Sequence, residues 1–140
     1  MRVRVSLSAL NLNGKQMLES NFLTALFKLI PPEIEKWKIH DAYTSGVPDA
    51  YFSGNKADIW IEAKLVRNNP KKHTPKLSAL QKAWLKRQYN RGRKVYVLVG
   101  VKGGKGIILK NLEWENQCDM TQLLTKKQIA QWITEQCETL

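Results

Sequence analysis

The chain has 140 residues, enough for one domain with a core of its own and too few for two comfortable ones. Lys and Arg number 23 against 12 Asp and Glu, a formal charge of +11 that points to a polyanionic partner, nucleic acid first. No stretch approaches the ~20 apolar residues of a membrane span, no secretory signal opens the chain, and Cys118 and Cys137 stand too far apart and too far from His pairs for a zinc motif.

Residues 1–14 read as an arm with alternating Val3, Val5 and Leu7. A helix is expected from about Lys15 to Ile30, with Leu18, Phe22, Leu26 and Ile30 at four-residue spacing, Leu23 and Phe27 widening the stripe, and Pro31-Pro32 as its stop. Trp37–His40 reads as a short strand, Tyr43–Gly46 as loop, Val47–Phe52 as a second strand, and Ser53–Lys56 as a turn into the alternating run Ile59–Val66. The basic, proline-punctuated stretch 67–76 reads as a loop. A helix over about Lys76–Asn90 follows, with Leu77, Leu80, Trp84 and Leu85 on its apolar side. Val95–Val101 is almost continuously apolar, the pattern of a central strand covered on both faces. Gly103–Gly106 turns a hairpin into Ile107–Leu109, and Thr125–Gln128 is a capping box for a last helix through Ile129, Trp132 and Ile133. These elements predict one α/β domain over 1–140, a central mixed sheet flanked by helices, with residues 111–140 as a C-terminal helical extension.

The chemistry concentrates in Gly46-Val47-Pro48-Asp49 and, after twelve intervening residues, Glu62-Ala63-Lys64. In a strand Glu62 and Lys64 share a face with Trp60, while Ile59, Ile61, Ala63 and Leu65 take the other. A carboxylate and an ammonium in the middle of a covered strand are costly to desolvate unless they serve each other or a ligand. If the Asp49 segment pairs alongside, two carboxylates and an amine converge. Mg²⁺ needs hard oxygen ligands and keeps several waters, so Asp49, Glu62 and the carbonyl of Ala63 would suffice, with Mn²⁺ able to substitute. Lys64 would position or deprotonate the water, or neutralise charge on the phosphate in the transition state; the ammonium role fits its acidic surroundings better. Glu19, at the flank of the first helix's stripe, either reaches this cluster or faces solvent. Gln81 either hydrogen-bonds a metal water, Lys64 or a phosphate, or is a surface glutamine. Asp58 reads as turn chemistry, and Asp41 is a poor candidate.

Arg67, Lys71, Lys72, His73 and Lys76 begin just beyond Lys64 and should overhang the site. With Lys82, Lys86, Arg87, Arg91, Arg93 and Lys94 they form a basic surface suited to a phosphate backbone. Gly103-Gly104-Lys105-Gly106 lacks the Gly-Lys-Ser/Thr ending of a phosphate-binding loop, so no nucleotide cofactor is expected. His40 and His73 support no Ser-His-Asp or Cys-His arrangement.

Pro48-Asp49 followed by Glu62-Ala63-Lys64, with the helix acid Glu19 before them, resembles the PD-(D/E)XK nuclease superfamily. More narrowly, Gly46–Asp49, the Glu-x-Lys strand, Leu77-Ser78 leading to Gln81 and Trp84, and Gly92-Arg93-Lys94-Val95 resemble the virus-type replication-repair nuclease (VRR-NUC) branch, which includes small phage proteins similar to Holliday-junction resolvases. The resemblance spans roughly residues 15–101. It implies a restriction-endonuclease-like core, Mg²⁺- or Mn²⁺-dependent phosphodiester hydrolysis, and a homodimer presenting two sites to branched or duplex DNA. The superfamily's acids map onto Asp49 and Glu62 and its lysine onto Lys64; the helix glutamate maps onto Glu19 and the helix glutamine onto Gln81.

The expectation is therefore a metal-dependent endodeoxyribonuclease selective for branched DNA, without membrane association. Its setting would be the cytoplasm, that of a host cell if phage-encoded. Two alternatives stand beside it: a homing-type endonuclease cutting a specific duplex sequence, and a basic nucleic-acid-binding module without hydrolysis.

Overall fold

Two adjacent strands form the centre of the sheet. β4 (Asp58–Val66) and β6 (Lys94–Val101) run parallel side by side, in register from Ile59↔Lys94 to Val66↔Val101. Parallel neighbours need a crossover, and α2 (Ala79–Asn90) supplies it. These elements belong to a computed structural model that describes residues 2–3, 14–39 and 46–138. The expected strand positions Val5 and Leu7, the loop 43–45, and His40 and Asp41 lie outside the described residues.

Around this pair the sheet grows to six strands, in the order β1 (Arg2–Val3), β2 (Glu35–Lys38), β3 (Ala50–Ser53), β4, β6 and β7 (Gly106–Leu109). β2, β3 and β4 are antiparallel neighbours, β1 runs parallel to β2, and β7 returns antiparallel to β6 through the expected hairpin. α1 (Gly14–Phe27) and α3 (Lys126–Glu138) cover one face. There Phe22, Leu26, Phe27, Ile129 and Ile133 pack against Phe52, Ile59, Ile61 and Ala63. The opposite face receives Leu85 of α2, packed with Val95, Val97, Val99 and the buried Trp114. This is the expected central mixed sheet flanked by helices, with odd-numbered β4 residues facing α1 and α3.

Several expected boundaries shift for local reasons. α1 ends at Phe27 rather than Ile30, because the last turn tightens: Leu29 N–H donates to Leu26 O and Ile30 N–H to Phe27 O before the prolines. α2 starts three residues late, since Ser78 is its N-cap, accepting from Gln81 N–H. Leu18 and Leu80, assigned above to apolar helix faces, are exposed. The basic loop is not free of structure either, because β5 (Lys72–His73) pairs with β8 (Cys118–Asp119). The C-terminal residues are not a mere appendage: Ile129, Ala130, Ile133 and Cys137 of α3 lie within the main core.

β3 begins only at Ala50, while β4 runs on to Val66. Pro48 has no N–H to extend the ladder, and Gly46 turns the chain with φ +88°. Gly46 is required twice over. A side chain there would adopt a left-handed backbone, and its Cβ would come within 2.5 Å of the Leu80 carbonyl oxygen. Gly46→Ala is therefore expected to destabilise the protein by about 1–3 kcal/mol and to push α2 away from the turn carrying Asp49; thermal melting and the amide NMR shifts of residues 46–50 and 78–82 would show both.

Candidate active site

Where β4 outruns β3, its backbone donors need partners, and two carboxylates provide them. Asp49 Oδ2 accepts from Ala63 N–H at 2.9 Å, and Glu19 Oε2 accepts from Leu65 N–H at 3.0 Å. Residues two apart in a strand direct their backbone groups to one edge, and the carbonyl of Ala63 leaves from that same edge. The acids thus replace the missing strand with negative charge.

Glu62, the residue before Ala63, points to the α2 face and is 2% exposed. Its Oε2 accepts from Gln81 Nε2 at 3.2 Å and lies 3.8 Å from Lys64 Nζ, while its buried Oε1 has no hydrogen-bond partner among the described residues. Burial lifts the Glu62 carboxyl well above the ordinary glutamate value; Asp49 adds to the rise through its charge and a carboxyl–carboxyl hydrogen bond, Lys64 opposes it, and Glu19 contributes a smaller push upward. Burial and the neighbouring Asp49 charge thus favour a proton or a cation at Glu62. Lys64 is partly exposed beside it.

Gln81 is held by its own helix. Its Oε1 accepts from Ser78 N–H at 2.9 Å, completing the capping box, so the amide nitrogen is left aimed at Glu62. The sequence left Gln81 either as a partner of a metal water, Lys64 or a phosphate or as a surface glutamine; the partner its amide nitrogen meets is Glu62. Glu19 touches the next backbone donor along β4. Among the described residues no group of three or more His, Cys, Asp or Glu side chains is placed to hold an ion.

Lys38 is a site neighbour that the sequence did not single out. It pairs with Ala50, the next residue's N–H (Ile39) donates to the Asp49 carbonyl at 2.7 Å, and its side chain is 6% exposed. Its ammonium donates to Ser20 O at 3.1 Å and to Ser20 Oγ and Thr24 Oγ1, both at 2.7 Å. Burial lowers its pKa and the charge of Asp49 raises it again. Lys38 therefore ties α1, and with it Glu19, to the strand beside Asp49. In the run Glu35-Lys36-Trp37-Lys38 nothing separates it from a solvent-facing lysine.

The basic residues expected to meet DNA lie mainly at the surface: Arg67, Lys71, Lys72, Lys76, Lys82 and Lys86 are exposed, and His73 is half-buried. The β5–β8 pairing pins the middle of their loop, helped by Met120 N–H donating to the Lys71 carbonyl and Cys118 Sγ to the His73 carbonyl.

The mixed sheet between α1/α3 and α2, with an acid-lined strand end, has the restriction-endonuclease-like architecture expected from the sequence. In three dimensions the chain is similar to Hjc, a Holliday junction resolvase of the archaeal hyperthermophile Archaeoglobus fulgidus, with a TM-score of 0.54 and 18% sequence identity over 84% of this chain and 98% of that one. No protein-family model matches the sequence, and no curated protein matches it as a sequence relative. At that identity the likeness shows a shared fold, and it does not extend to the virus-type branch.

The raised Glu62 pKa has a stability consequence with a definite sign. The folded state holds this proton more tightly than the unfolded chain, so the stabilisation is complete below the ordinary value near 4.5 and is lost as pH rises through the raised value. In EDTA at neutral pH, Glu62→Gln should therefore melt higher than wild type, by roughly 3–6 °C for each kcal/mol of relief. The difference should shrink as pH falls toward that of free carboxylic acids; melting curves across pH check both.

Proposed function

We propose that this protein is a metal-dependent DNA endonuclease that cuts branched DNA. The observation that carries the reading is the convergence of Asp49 and Glu62 at the unpaired end of β4, with Lys64 beside them. The buried, unpartnered Glu62 Oε1 and the short supply of positive charge around two adjacent carboxylates fit a hard divalent cation. Mg²⁺ or Mn²⁺ would be held by Asp49, Glu62 and the Ala63 carbonyl, and when bound would acidify a water and offset charge on the scissile phosphate.

The chain's own residues have separate tasks. Gln81, locked by the α2 cap, keeps the Glu62 carboxylate turned toward Asp49. Lys64, partly exposed beside Glu62, presents an ammonium to the phosphate as negative charge builds. Glu19 secures the strand end through Leu65 N–H. Arg67, Lys71, Lys72, His73, Lys76, Lys82 and Lys86 lend sequence-independent affinity for the backbone. The similarity in fold to a Holliday junction resolvase favours branched over linear substrates. Two strands cut symmetrically at a junction require two sites, hence a homodimer.

Glu62→Ala and Lys64→Ala should each lower Mg²⁺-dependent cleavage of a synthetic four-way junction by at least about 100-fold, with junction affinity in EDTA within about threefold of wild type. Gel assays of cleavage and filter binding measure the two quantities. Wild-type protein that cuts no DNA with either Mg²⁺ or Mn²⁺ would refute the nuclease, and linear duplex cut as readily as the junction would refute the branch preference. Light scattering should give twice the monomer mass at micromolar concentration.

A further inference from the structure

Beyond Glu62 and Lys64, β4 leads into a cleft of about 830 Å³. Its floor is apolar: Phe22 and Leu65 lie across the backbone of Gly100, where even a Cβ would come within 2.9 Å of the Leu65 side chain and 3.1 Å of the Phe22 ring. Leu18, exposed on the first turns of α1, forms one wall. Arg67, Lys102 and Lys126 line the cleft, and no Asp or Glu does. The Lys126 ammonium stands over the Phe22 ring, 5.6 Å from its centroid.

We infer that this cleft takes one unstacked nucleobase of the DNA strand being cut, with Arg67, Lys102 and Lys126 on its flanking phosphates. A nucleobase is flat and largely apolar on its faces, while its phosphates are anionic, and the cleft pairs an apolar floor with cations alone. Its volume falls in the range of small-ligand sites, about 300–1,000 Å³. Leu65 links it to the acids, since the same residue lines the cleft and gives its N–H to Glu19. Three strand residues at about 3.3 Å each separate Glu62 from Leu65, a span of about 10 Å, or about three nucleotides at 3.4 Å. An intact duplex keeps its bases stacked on both sides, whereas a branch point interrupts the stack, so that extruding a base there costs less. The cleft would thus supply selectivity for branched DNA. The inference rests on the nuclease reading only for which strand lies there.

The test places 2-aminopurine, which brightens when unstacked, at each of the four nucleotides on either side of the mapped cut, or of the branch point where no cut is found, in a four-way junction, and titrates wild-type protein in EDTA. Fluorescence should rise at least about threefold at the second to fourth nucleotide on one side. In the Leu18→Ser, Lys126→Ala double variant the rise should disappear and junction affinity should fall about tenfold, the effect of one stacked base, while affinity for linear duplex changes less than about twofold. Leu18 is exposed and Lys126 lies at a helix start, and far-UV circular dichroism verifies folding; Lys102→Ala in an exposed turn repeats the comparison if the double variant misfolds. No rise at any position, or equal loss of junction and duplex affinity, would overturn the inference. A rise abolished by the variants in a protein that never cuts DNA would uphold the cleft and reject the nuclease.

Discussion

One mismatch in strand length underlies the arrangement of the site. β4 needs neighbours on both edges, and β6 accompanies it throughout, but β3 stops at Ala50 because Pro48 cannot donate to the ladder. The N–H groups of Ala63 and Leu65 are left facing an edge without a strand. A buried unpaired N–H costs about 1–3 kcal/mol, and the carboxylates of Asp49 and Glu19 remove that penalty. Backbone hydrogen bonding alone therefore draws acids from two distant parts of the chain to one end of one strand.

That solution creates a second difficulty, which the rest of the site manages. Asp49 and Glu62 end up within reach of each other, with Glu62 sealed from water. Lys64 and the Gln81 amide relieve part of the repulsion, and the remaining demand for positive charge is what a cation or a proton would meet. Stability given up at a site of this kind is commonly the counterpart of function. The buried Lys38 sits on the far side of Asp49 and spends all three of its donors on α1, so the helix bearing Glu19 and the strand pairing with Asp49 move as one body.

Rigid supports continue outward from this centre. Gly46 lets the turn before Asp49 rest directly on the backbone of Leu80, at the start of α2, and the Ser78 cap fixes the amide of Gln81 in that same helix turn. The β5–β8 pairing holds the basic loop, so its charges are carried on an anchored segment whose ordering is already complete before a partner arrives. On the other side of the strand end, the glycine in β6 lets Phe22 and Leu65 settle low enough to leave a cleft between α1 and the β6–β7 hairpin.

The sequence by itself determined the central strands, the hairpin, the caps at Thr125 and the proline stop after α1, because each depends on side-chain alternation or turn chemistry within a few residues. It also put Glu62 and Lys64 on one face of β4, since strand periodicity leaves no other choice. Other features were decided only in three dimensions: the partners of Asp49 and Glu19, the burial of Lys38, the exposure of Leu18 and Leu80, and the entry of α3 into the main core. The physical reason is one of range. A residue's face within an element follows from local backbone geometry, whereas its neighbours follow from where strands of unequal length begin and end against each other, a property of the whole sheet that no short stretch of chain contains.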